Sequence, residues 1–103
     1  MIAKFFDRRK GDLSHYYTNL YHIIKFIDNS EIENKYQYTS FIRAQLSAQE
    51  TYFLFYNCLS PMGKNKFKPL VEKYALLKNL DFALITNKEH VKAYQPSAFQ
   101  SNT

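Results

Sequence analysis

At 103 residues the chain is at most one domain, and its single cysteine, Cys58, excludes an internal disulfide and suits a reducing cytoplasm. Only 2 glycines and 3 prolines argue against a hairpin-rich fold, and no run of roughly 18 apolar residues is present to span a bilayer. The formal net charge of +5 favours anionic partners without naming one, and an aromatic content of 17% means a small core must be filled by Tyr and Phe rings.

Residues 1–10 read as a short amphipathic segment, with Ile2, Phe5 and Phe6 on one side and Gly11 as a stop. Asp12 or Ser14 is placed to cap the next helix. In that helix Leu13, Tyr17, Leu20, Ile24 and Ile27 form an apolar stripe, widened by Tyr21, Ile23 and Phe26. Asp28-Asn29-Ser30 ends it. Ser30 is read as the cap of a second helix, with Glu31 and Glu33 in its first turn. Ile32, Tyr38, Phe41, Ile42, Gln45 and Leu46 are read as its inner side.

Ser47-Ala-Gln-Glu50 is a capping box and marks a sharp junction into a third helix over 51–59. The segment TYFLFYNCL also has strand composition. The cap, and the lack of a pairing strand elsewhere, favour a buried central helix. Residues 60–63 read as a turn and the fourth helix as starting near 65–67, with Pro69 tolerated in its first turn. Phe67, Leu70, Val71, Tyr74 and Leu77 give its core stripe, and Asn79 its end. A short apolar piece over 81–86, one more short helix over 87–94 and a fraying polar tail from Pro96, Phe99 excepted, complete the reading. The expectation is an all-α fold, a compact bundle of four to five helices, with 1–95 as a single helical domain and 96–103 as its tail.

Arg43 and Glu50 flank the predicted junction, one turn to either side. Arg43 lies beside Phe41 and Ile42, where a partly desolvated guanidinium needs fixed carboxylate or carbonyl partners. The pair is therefore a structural clamp across the bend or, with Gln45, an anion site. His15 and His22 are seven residues apart, about 10 Å along a helix, too far to chelate one ion; no metal and no cofactor is implied. Cys58, in an apolar run, reads as a buried small hydrophobe. Lys64, Lys66 and Lys68, followed by Lys73 and Lys78, make a basic face open to phosphates or simply to solvent. Arg9 and His15, with five residues between them, are similar to the Arg-x4–6-His signature of helical endoribonucleases of the HEPN class, although Gly11 interrupts the helix that would carry it.

The segments LYHIIKFID (20–28), IRAQLSAQE (42–50), LFYNCLS (54–60) and KFKPLVEKYALLKNL (66–80) together resemble the phage abortive-infection proteins of the AbiC kind. The resemblance covers most of the chain and corresponds to the C-terminal part of those proteins. Similar proteins often carry transmembrane helices ahead of this region, so the chain is expected to be a short member or a fragment of a longer one. The implied role is defence against bacteriophage, through a non-enzymatic sensing or interaction module with a protein partner or a second copy of itself. Nucleic acid is a further candidate partner through the basic surface. The polar motif positions Arg43, Gln45, Glu50 and Asn57 are the candidate binding residues. The alternative is a nuclease using Arg9 and His15.

Overall fold

A computed structural model describes residues 13–100. The short segment over 1–10, Gly11, the Asp12 cap and Arg9 lie outside the described residues. Five α-helices and three 3₁₀ turns occur among those described, with no strand, so the fold is all-α as expected. The chain divides into two units, one ending at Gln45 and the other beginning at Leu46.

The first unit contains α1 (Leu13–Asn29) and α2 (Lys35–Ala44), which pack on each other. Tyr17, Leu20, Ile24 and Ile27 of α1 are buried, as the stripe requires, and Tyr16 joins them. Ser14 lies within the range of α1. Phe26 departs from expectation: its side chain is 73% exposed. Two residues past Ile24 is about 200° around the helix, which puts Phe26 on the outer face with His22 and Asn29.

Ser30 does not cap the second helix. Its hydroxyl donates to the Ile27 carbonyl at 2.7 Å and accepts from the Ile32 amide at 3.3 Å, so it closes the end of α1 instead. The Lys35 ammonium also turns back, donating to the Asp28 carbonyl at 2.8 Å. Glu31 and Glu33 therefore lie in the connection, and α2 starts after Asn34 with no side-chain cap bond. Thr39 and Ile42 form the buried face of α2. Tyr38 (49% exposed), Phe41 (55% exposed) and the exposed Gln45 depart from the inner position expected of them. They fall instead on one outward stripe with i, i+3, i+7 spacing.

In the second unit Ser47 caps α3 (Ala48–Asn57) with the complete capping box: the Glu50 amide donates to the Ser47 hydroxyl at 3.0 Å and the Ser47 amide to the Glu50 carboxylate at 2.8 Å. From Glu50 to Asn57 no residue of α3 is fully exposed, and Leu54 and Phe55 are wholly buried. The helix reading of this segment holds over its strand composition.

Residues 60–63 are the start of a helix rather than a turn. Ser60 accepts from the Gly63 amide, Pro61 takes the first helical position, and α4 runs Pro61–Lys66. The expected fourth helix is thus two: α4, and α5 (Lys68–Lys73) after a break at Phe67. Pro69, with no amide hydrogen, cannot continue the ladder to residue 65, which is where the helix interrupts. Nor does α5 reach Asn79. Ala75 adopts a left-handed conformation (φ 51°) that reverses the chain, and Ala75, Leu76, Leu77 and Leu80 are buried in the turns that follow. Three 3₁₀ turns complete the unit: Phe82–Leu84 capped by Asp81, Lys88–Ala93 capped by Asn87, and Pro96–Ala98. The last does not fray. Ala98 is wholly buried and its carbonyl accepts from the Leu77 amide at 2.9 Å.

Candidate functional site

In the first unit the half-buried Arg43 folds back over its own helix. Nη1 donates to the Tyr36 hydroxyl at 3.1 Å, and the guanidinium carbon lies 5.8 Å from the centre of the Tyr36 ring. Its Nε is buried and makes no hydrogen bond among the described residues, so one N–H of the fork remains unspent. Gln45 is exposed at the end of α2, where its amide donates to the Ile42 carbonyl at 3.0 Å. His15 and His22 are both exposed on α1, and His22 stacks edge-on against Tyr21.

In the second unit Glu50 is buried and one of its carboxylate oxygens completes the capping box. Asn57 ends α3, and its carbonyl accepts from the Ser60 hydroxyl at 2.6 Å. That carbonyl crowds Gly63: a β-carbon there would overlap it and approach the Cys58 α-carbon to 2.9 Å. Lys64 and Lys66 are exposed on α4. Lys68 leaves the basic face. Its ammonium pairs with Glu72 at 3.1 Å, both side chains largely buried, and lies 5.5 Å from the centre of the Tyr94 ring.

Sequence reading missed the densest polar contacts of this unit. The Tyr56 hydroxyl and His90 Nδ1 share a hydrogen bond of 2.7 Å, their rings perpendicular at 5.3 Å. Four residues on, the buried Tyr94 donates to the Phe55 carbonyl at 2.6 Å and packs against the Phe55 ring. Glu72 also accepts from the Gln95 amide at 2.9 Å. His90 lies 34 positions from Tyr56, and no local spacing announces such a pair.

Burial is the main cause that pushes the Cys58 thiol up to about 12; the nearby Tyr94 hydroxyl and the Lys68 charge oppose it. Burial also raises the Tyr94 phenol above its ordinary range, with Cys58 adding to the effect. Cys58 is therefore a neutral packing group at neutral pH, as its apolar setting implied. Above pH ~8.5 the unfolded thiol ionises while the folded one keeps its proton, so stability falls as pH rises from there toward 12. The expected slope is up to about 1.4 kcal/mol per pH unit for this group. Urea midpoints measured between pH 7 and 10.5 test it: Cys58→Ala flattens the decline above pH ~8.5 relative to the parent, and an unchanged slope contradicts the assignment.

Among the described residues, no helix is long and apolar enough to cross a membrane, and no three His, Cys, Asp or Glu side chains come together to hold a metal ion. No curated protein and no solved structure matches the chain. One family does: the model of the "Putative phage abortive infection protein" family matches residues 8–85. That span takes in α1 to α5, the capping box and the whole of the IRAQLSAQE segment. By this match over most of its length, the chain belongs to that phage abortive-infection family.

Proposed function

We propose that the protein serves abortive infection as a non-enzymatic sensing or interaction module that binds a protein partner through the outward faces of α1 and α2. The observation that carries this reading is the exposure of three large rings, Phe26, Tyr38 and Phe41, on two short helices. Aromatic side chains held in water contribute little to folding and are the residue types that dominate binding energy at protein interfaces. Several polar positions of the motif serve the fold itself: Glu50 closes a cap, Lys68 pairs with Glu72, and Arg43 bonds Tyr36. Lys64 and Lys66 remain available on α4 for a phosphate-bearing ligand as a secondary contact.

The test is plaque formation and culture survival after phage infection of bacteria expressing the chain. The paired substitution Phe26→Ser, Phe41→Ser is expected to abolish most protection while far-ultraviolet circular dichroism and thermal unfolding stay unchanged, since exposed positions shift stability by only about ±0.5 kcal/mol. His15→Ala is expected to protect as the parent does. Loss of protection in His15→Ala alone, with the fold intact, would replace this reading with the nuclease one.

A further inference from the structure

Beyond Ile85 the backbone forms no α-helix among the described residues. It crosses the second unit as two 3₁₀ turns, whose hydrogen-bond geometry gives little cohesion of their own. Between 86 and 100 only Tyr94 and Ala98 are fully buried. Besides the exposed bond from the Lys88 ammonium to the Phe82 carbonyl and the packing of Phe99 on Phe82, four hydrogen bonds tie the segment to the chain before it. His90 bonds Tyr56, the Tyr94 hydroxyl bonds the Phe55 carbonyl, the Gln95 amide bonds Glu72, and the Ala98 carbonyl accepts from Leu77. Beneath these ties lie Phe55 and Cys58, both at 0% exposure. The family match stops at residue 85, just before this segment begins.

We infer that residues 87–100 form a detachable clasp, which opens as one piece while α3 to α5 stay folded and uncovers an apolar seat containing Phe55 and Cys58. Two kinds of attachment meet in this arrangement. The helices beneath keep their own backbone ladders and bury Leu54, Phe55 and Val71. The clasp is joined by hydrogen bonds and by the burial of Tyr94 and Ala98 alone, its other side chains staying at least partly exposed, the pattern of segments that open below the cost of global unfolding. Closed, it lays the Tyr94 ring against Phe55. Open, it converts a covered core face into exposed apolar surface, which makes the clasp a device for withholding that surface until it is released. The inference does not depend on the proposed partner-binding role of α1 and α2.

Cys58 is the chain's only thiol, so its modification reports this opening without ambiguity. The experiment measures Cys58 labelling by an aromatic disulfide reagent in the intact chain, across urea concentrations below the unfolding transition, beside hydrogen exchange of the α3 amides. The expected result is labelling in water at a rate nearly independent of low urea, with the α3 amides still protected. Tyr94→Phe, which removes the bond to the Phe55 carbonyl, is expected to speed labelling by about tenfold. Glu72→Gln, which weakens the hold on the Gln95 amide and the Lys68 pair beside Tyr94 while leaving Phe55 and Cys58 themselves unchanged, is expected to speed it about threefold. Labelling that rises with urea as steeply as global unfolding, or a thiol that stays silent until the chain unfolds, overturns the proposal.

Discussion

Phe55→Ala is expected to cost about 3–5 kcal/mol, a large part of the stability of so small a chain. Phe55 has no exposed surface, lies in the last turn of α3, and touches the rings of both Tyr56 and Tyr94. Removing the ring empties a volume walled by other large side chains, and these cannot collapse into it without leaving their own positions. The Tyr94 hydroxyl would still find the Phe55 carbonyl, because that bond is to the backbone, but the ring-to-ring contact that aligns it is gone. Urea denaturation followed by circular dichroism gives the measurement, with the exposed Phe26→Ala as the control expected within about 0.5 kcal/mol of the parent. A Phe55→Ala loss below about 1 kcal/mol would mean that α3 is not the core helix described above.

Gly63→Ala is the second large effect, and it runs against helix propensity. Alanine inside a helix normally gains about 1 kcal/mol over glycine. At Gly63 the added methyl meets the Asn57 carbonyl oxygen and the Cys58 α-carbon. Both are backbone atoms that cannot rotate away, so α4 has to shift away from the end of α3. The expected net result is a destabilisation of about 1–3 kcal/mol, read as a lowered urea midpoint with an unchanged slope. Asn65→Ala, exposed on the same helix, should leave the midpoint within a few tenths of a kcal/mol or raise it. If Gly63→Ala stabilises the protein, the close approach of α4 to the α3 terminus is not present in solution.

What the sequence made legible was what neighbouring residues decide among themselves. The capping box is written within four positions and forms as written. The stripe of α1 needs only a 3.6-residue period, and it is buried as that period requires. What was not legible depends on distant chain. Ser30 has the chemistry of a helix cap, but whether it closes the helix behind it or opens the one ahead depends on how many residues the reversal takes. Phe26, Tyr38 and Phe41 look like core by residue type, yet a ring's hydrophobicity does not say whether another element arrives to cover it. Pro69 signals the break at Phe67, yet a proline in a first turn is equally compatible with an unbroken helix start. The left-handed Ala75 has no local cue, since glycine and asparagine are the usual occupants and Asn79 was the residue that suggested an end.

The candidate site divides along the same line. Arg43 and Glu50 were found by their oddity in an apolar run, and each has a structural partner close in sequence. Lys68 was counted with its exposed neighbours because pairing with Glu72 and lying over Tyr94 requires knowing where the C-terminal segment passes. Tyr56 and His90, and Cys58 and Tyr94, are separated by more than thirty residues, and only the folded chain brings them together.

The left-handed residue also bears on the order in which the molecule assembles. A left-handed alanine is disfavoured by about 1–2 kcal/mol on its own, so the reversal at Ala75 cannot serve as a nucleus. It becomes worthwhile only once Leu76 and Leu77 have somewhere apolar to go. Folding of the second unit must therefore begin upstream, where the capping box starts α3 and Ser60 starts α4 without help from distant chain. The bend at Ala75 comes late, and the residues after it find their places last.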